Sequence, residues 1–173
     1  RGTTKQIESD NTAAETTETE GLTTFGADGF TVGSLAQVNT SSENYVSWQW
    51  LAGNATSSNT TGTLTSTVSV ADADHFSILT YTGSGSATTV GHGLGAAPEM
   101  IICIEKTGGD DWNVYHDDQD ASPEDGSLRM DATNAYLADA SLWNGAPSAT
   151  IINLGTSNET NQSSQGLVAY CFR

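Results

Sequence analysis

The strongest constraint on this chain is that part of it overlays another part. Residues 33–50, GSLAQVNTSSENYVSWQW, lie without gaps over residues 155–172, GTSNETNQSSQGLVAYCF, at a displacement of 122 positions. Gly33 meets Gly155, Asn39 meets Asn161, Ser41 and Ser42 meet Ser163 and Ser164, and Val46 meets Val168. The aromatic positions correspond as well, Trp48 with Tyr170 and Trp50 with Phe172, and upstream Phe30 and Val32 fall over Ile152 and Leu154. Each copy reads as a strand, a polar Asn/Ser loop and an aromatic strand. A repeated supersecondary unit buries equivalent faces in each copy. The expectation is therefore that Val46, Trp48 and Trp50 belong to the core in the same way as Val168, Tyr170 and Phe172.

Period-two alternation supports strands rather than helices. In LTSTVSV, Leu64, Ser66, Val68 and Val70 share one face; in YVSWQW, Val46, Trp48 and Trp50 do. The runs FSILTY (76–81) and EMIICIE (99–105) are more continuously apolar and read as central strands covered on both sides. Further short strands are expected at 29–33, 112–115, 127–130, 150–154 and 167–172, with glycine-rich or Asn-Gly and Asp-Gly turns between them. The fold class that follows is all-β: a jelly-roll-like β-sandwich of two related strand–loop–strand units with long polar loops. Residues 1–53 form a first, partial unit, 54–70 a connecting strand or linker, and 71–173 a second, more complete unit. The first copy lacks an equivalent of 76–115. Either the chain is a piece of a longer repetitive protein, or residues 1–50 pack on 51–173 to close one sandwich.

Charge narrows the partners. Five Lys plus Arg stand against 21 Asp plus Glu, a formal net charge of −16. Such a surface repels phosphate backbones and anionic lipid, which argues against nucleic-acid and membrane-surface binding. No apolar run is long enough for a membrane-spanning helix. Cys103 and Cys171 each sit within an apolar run and read as small buried hydrophobes, with a disulfide between them left open.

Candidate chemistry is sparse. The acidic loop HDDQDASPEDG (116–126) offers Asp117, Asp118 and Asp120 as hard oxygen ligands for Ca²⁺, without EF-hand spacing; no other cofactor is expected. Asp72 and Asp74 form a smaller acidic pair. Trp112 beside Asn113, and Trp143 beside Asn144, place flat rings next to amides, the chemistry by which sugars are held. No pair of carboxylates is singled out for glycoside hydrolysis, no GxSxG occurs, and His75, His92 and His116 match no ligand spacing, so no catalytic residue is assigned. The sequons at Asn39, Asn54, Asn59, Asn158 and Asn161 read as exposed loops.

The runs VNTSSENYVSWQWLAG, TYTGSGSATTVGHGLGAAPEMIICIEK, DWNVYH and LGTSNETNQSSQGLVAYCF resemble an uncharacterised, often repeated β domain of virion proteins from marine and cyanobacterial tailed phages. The first 34 residues resemble the back half of a preceding unit. The resemblance implies a non-enzymatic structural protein on the virion surface, of tail-fibre or spike type, that touches host-surface glycans. It also admits a capsid decoration or filament subunit completed by strand addition from neighbours, and, less favoured, a polysaccharide-degrading spike domain. The partners implied are other copies of the chain, a trimer being plausible, and other virion proteins.

Overall fold

The structure is a computed structural model that describes residues 2–53, 55–71 and 74–173. Asn54 and Asp72, and with them the Gly53-Asn54 turn, one sequon and half of the Asp72/Asp74 pair, lie outside the described residues. In chain order the elements are β1 (Lys5–Gln6), β2 (Thr16–Thr17), β3 (Leu22–Phe25), β4 (Phe30–Val32), a short α1 (Ala36–Asn39), β5 (Ser57–Asn59), β6 (Ser66–Val70), β7 (Phe76–Thr82), β8 (Thr88–Gly91), β9 (Met100–Glu105), β10 (Asn113–His116), β11 (Gly126–Arg129), β12 (Leu137–Ala138), β13 (Ile151–Leu154), a short α2 (Asn158–Asn161) and β14 (Gly166–Phe172).

The chain is all-β and sandwich-like. One layer is an eight-stranded antiparallel sheet in the order β12-β11-β10-β9-β14-β7-β6-β5. β14 lies at its centre, paired over its whole length with β7 (Val168 opposite Thr80) and with β9 (Val168 opposite Ile104). The facing layer is the β8–β13 pair, widened by single bridges from Leu64 to Val90 and from Trp143 to Leu154. Between them lies the main core. Val68, Leu79, Tyr81, Ile101, Cys103, Leu167, Ala169 and Cys171 face Val90, Ile152 and Leu154, with Leu94, Leu142 and Trp143 closing the ends. Both cysteines are free and buried. The continuously apolar runs are covered on both faces, as that pattern predicts: Ile104 and Val168 on the outer side pack with Trp112, Ile78, Ile102 and Tyr170. The stretch 54–70, read as a connecting strand or linker, contains two strands. β5 and β6 extend the large sheet beyond β7; the alternation in Ser66–Val70 gives β6 a buried face, and β5 pairs on β6's free edge.

The duplication reaches further than the ungapped overlay. α1 and α2 occupy equivalent positions, and Ser42 (φ 69°) and Ser164 (φ 65°) both take the left-handed conformation just after them. The Asn39 amide donates to Gly33 O at 2.7 Å, and the Asn161 amide donates to Gly155 O at 2.8 Å. A side chain at Gly33 or Gly155 would run into a carbonyl, that of Glu20 in one copy and Ser141 in the other. Upstream of β4 the displacement falls to 121 positions: Lys5 pairs with Thr17 as Gly126 pairs with Ala138, and Leu22, 121 positions before Trp143, pairs with Val32, 122 positions before Leu154, as Trp143 pairs with Leu154. The backbone links Glu18 N to Thr4 O (3.0 Å) and Asp139 N to Asp125 O (2.8 Å) are likewise equivalent. Residues 5–50 and 126–172 are thus one supersecondary unit built twice.

The two copies end differently. Val168 is fully buried, and Tyr170 and Phe172 are half-buried, but Val46, Trp48 and Trp50 are 72%, 71% and 56% exposed and form no strand. The expectation that these three lie in the core is therefore wrong. The physical reason is that β7 and β9 flank β14 and Val168 is covered on the outer face by Ile104, Trp112 and Ile7, and the first copy has no counterpart of β7 and β9 among the described residues.

Candidate interaction surface

The uncovered first copy presents the most distinctive surface of the molecule. Residues 44–51 make no backbone–backbone hydrogen bond among the described residues. The segment is still anchored. The Tyr45 hydroxyl donates to Ala36 O (3.0 Å) and accepts from Thr40 N (2.7 Å), tying the start of the run to α1. At its far end the Trp50 ring rests edge-on against Phe172, 5.4 Å between centroids, and tilted against Phe76 at 6.1 Å. Phe25 and Phe30 of the β3–β4 hairpin, 65% and 39% exposed, continue the apolar surface together with Leu51.

Two grooves flank Trp48 and Trp50. One, of about 390 Å³, separates them from the outer face of the large sheet, with Ile78, Ile102, Tyr170 and Phe172 among its lining. The other, of about 410 Å³, opens toward Phe25 and Phe30. Contiguous apolar surface of this kind on a polar, acidic chain marks a place where something packs. The sequence reading missed Phe25, Phe30 and Leu51. The available signal was the absence of a front half in the first copy, which leaves its apolar side chains without a covering layer.

The structure does not join the proposed sugar contacts into one exposed platform, although Trp112 edges the groove of about 390 Å³. Trp112 and Trp143 are buried, and Asn113 is fully buried. Trp143 Nε1 donates to Gly126 O at 3.2 Å, and the Asn113 amide bonds Asp111 O and the Ser127 hydroxyl. Asn144 alone is exposed. These rings serve as core because β10 and the Trp143–Leu154 bridge turn them inward. Asp117, Asp118 and Asp120 are exposed along their loop, and among the described residues no group of three or more His, Cys, Asp or Glu is placed to hold a metal. Asn161 also departs from its reading as an exposed sequon: it is fully buried.

The buried polar groups tie elements together. Arg129, with its side chain 7% exposed, pairs with Asp111 and with Glu159 (2.9 Å), joining β11 to α2. The equivalent positions in the first copy are Glu8 and Gln37, and there the Gln37 amide donates to Glu8 at 2.9 Å. His92 is buried, accepts from Leu94 N at Nδ1, and has Nε2 at 3.1 Å from Ser148 O, so its neutral form fits; burial holds its pKa below the usual imidazole range. Glu105 is buried at the end of β9 and accepts from Thr107 Oγ1 (2.8 Å); with the Gln162 amide turned to present its nitrogen, Glu105 and Asp110 accept from it as well (2.9 and 3.2 Å). Burial, reinforced by Asp110, raises its pKa. Burial also pushes the Cys103 thiol up to about 12. Each of these groups is engaged by neighbours in the fold and none faces either aromatic groove.

Fold and surface together define an all-β sandwich module carrying one closed unit and one uncovered half-unit. The chain belongs to the family described as Domain of unknown function (DUF7483), whose family model matches residues 1–173. No curated protein and no solved structure matches it.

Proposed function

We propose that this chain is a non-enzymatic structural module of a phage particle's exterior, of tail-fibre or spike type, which acts by assembling with other copies of its own unit. The observation that carries the reading is the twice-built unit whose first copy leaves an aromatic strand equivalent uncovered. Modular repeats bury their faces against neighbours, and such faces are soluble only when covered. The resemblance of the sequence to repeated β domains of tailed-phage virion proteins supports a location on the virion surface. The uncovered strand equivalent favours a second reading as well, a decoration or filament subunit completed by its neighbours. Gold-labelled antibody against the chain, applied to intact particles, tests both. Label at the tail supports the fibre reading, label over the shell supports decoration, and particles that contain the protein yet bind no antibody anywhere on their exterior refute surface display.

A further inference from the structure

The second copy shows what a covered unit looks like, and this identifies what the first one lacks. Around β13, α2 and β14 the missing parts are contiguous in sequence: β7 and β9 flank β14, and β8 pairs with β13. All three strands fall within residues 76–105. The equivalents of β13 and β14 in the first copy are β4 and residues 44–50. β4 pairs only with β3, and 44–50 pairs with nothing among the described residues. Phe30 is 39% exposed where Ile152 is 2% exposed, and Val46 is 72% exposed where Val168 is 0% exposed.

From this we propose that residues 30–50 form the closing half of another unit of the same kind, and that the surface is completed by a β7–β8–β9 half-unit resembling residues 76–105, supplied by the preceding neighbour in an array. A second whole copy of this chain is a poor donor, because its own β7 and β9 already hold its β14. Residues 44–50 become the middle strand of the neighbour's sheet. Val46, Trp48 and Trp50 then lie on that sheet's outer face, as Val168, Tyr170 and Phe172 lie on this one. Trp50 already touches Phe76 and Phe172. Consecutive units therefore stack outer face to outer face, and the groove of about 390 Å³ receives the outward side chains of the arriving strands. On the inner side Tyr45, Ser47 and Gln49 replace Leu167, Ala169 and Cys171, so the donor sheet meets a more polar strand than β14.

This inference rests on the modular reading above but not on a phage location, and its test reads strand pairing alone. The full chain is extended at its N-terminus by a second copy of residues 55–122, which restores the repeat period, and amide exchange is followed by residue. The expected result is that the amides of 46–50 exchange about a hundredfold more slowly than in the unextended chain, as befits the move from an open segment to a central strand. The protection is expected to vanish when the added half carries Leu79→Lys and Ile104→Lys. A second extended chain with Ser47→Ala and Gln49→Cys places the β14 residues at two of the three inner positions, Tyr45 being kept for its anchor on α1, and removes the polar side chains of 47 and 49 as a reason for failure. If both extended chains leave 46–50 exchanging as in the unextended chain, the proposal is wrong. Protection that instead rises with concentration in the unextended chain would assign the surface to a second whole copy and overturn it as well.

Discussion

Val46 and Val168 are the same position of one unit in two surroundings, and truncating each to alanine separates sequence equivalence from physical burial. Val168 is fully buried between β7 and β9 and packs with Ile104 and Trp112. Val168→Ala removes two buried carbon groups, about 1.6 kcal/mol of transfer free energy at about 0.8 kcal/mol each. It also leaves a small cavity in a sheet that cannot collapse around it, which brings the expected loss to about 2–3 kcal/mol. Val46 is 72% exposed, so Val46→Ala is expected within about 0.5 kcal/mol of no change. For a domain of this size a kcal/mol moves the melting temperature by roughly 2–4 °C. Thermal unfolding followed by near-ultraviolet circular dichroism should thus give a fall of about 5–10 °C for Val168→Ala and under about 2 °C for Val46→Ala. Equal falls would refute the claim that the first copy is uncovered. The same pair also reports on array assembly, because in the N-terminally extended chain the cost of Val46→Ala should rise toward that of Val168→Ala.

Glu105→Gln is expected to raise stability at neutral pH. A carboxyl whose pKa is raised by burial contributes stability while protonated and loses it as pH rises through the folded-state value. The gap between variant and parent melting temperatures should therefore widen in the variant's favour from about pH 4 to about pH 7, and a gap independent of pH would contradict this. Asn161→Ala should be far more damaging than Asn39→Ala. The buried Asn161 side chain donates to Gly155 O and Ser86 O and accepts from Ser84 N, whereas the exposed Asn39 side chain bonds Gly33 O alone among the described residues. Urea midpoints should correspond to losses of about 2–3 kcal/mol and under about 1 kcal/mol, respectively.

Much of the sheet was legible from periodicity. The continuously apolar runs 76–81 and 99–105 are central strands, the alternation in Ser66–Val70 gives a strand, and the overlay of 33–50 on 155–172 holds down to the left-handed Ser42 and Ser164. Residues 45–50 misled because alternation specifies only which side chains share a face. Whether that face is covered depends on strands far away in sequence, and for this segment they are missing among the described residues. Trp112 and Trp143 misled for the converse reason: polar neighbours in sequence suggested a sugar platform, yet both rings turn into the protein. β1, β2 and β12 are two-residue pairs with no apolar alternation, so no period announces them. The one-residue change of displacement, which hides the upstream part of the duplication from an ungapped overlay, falls between Leu22 and Val32, a stretch in which β3 carries a register shift between Leu22 and Thr24.

What the two copies share is geometry more than chemistry. The α2 N-cap Ser157 accepts from Glu159 N, but its counterpart Leu35 has no side-chain cap, and both short helices still form. The tie between the strand and the short helix persists with its donors exchanged: Arg129 gives protons to Glu159, while Gln37 gives a proton to Glu8. A buried charge left without its partners is strongly destabilising, so loss of Arg129, which pairs with both Asp111 and Glu159, is costly in the covered copy. The Glu8–Gln37 pair, with Gln37 exposed and Glu8 half-buried, can drift at smaller cost. Constraint is therefore expected to be weaker in an uncovered copy than in a covered one, except where the uncovered copy has a partner of its own. Val46, Trp48 and Trp50 stay large and apolar on an otherwise polar, acidic surface, where solvent alone would favour polar replacement. That exception is the physical reason to regard the segment as a strand whose sheet comes from another unit.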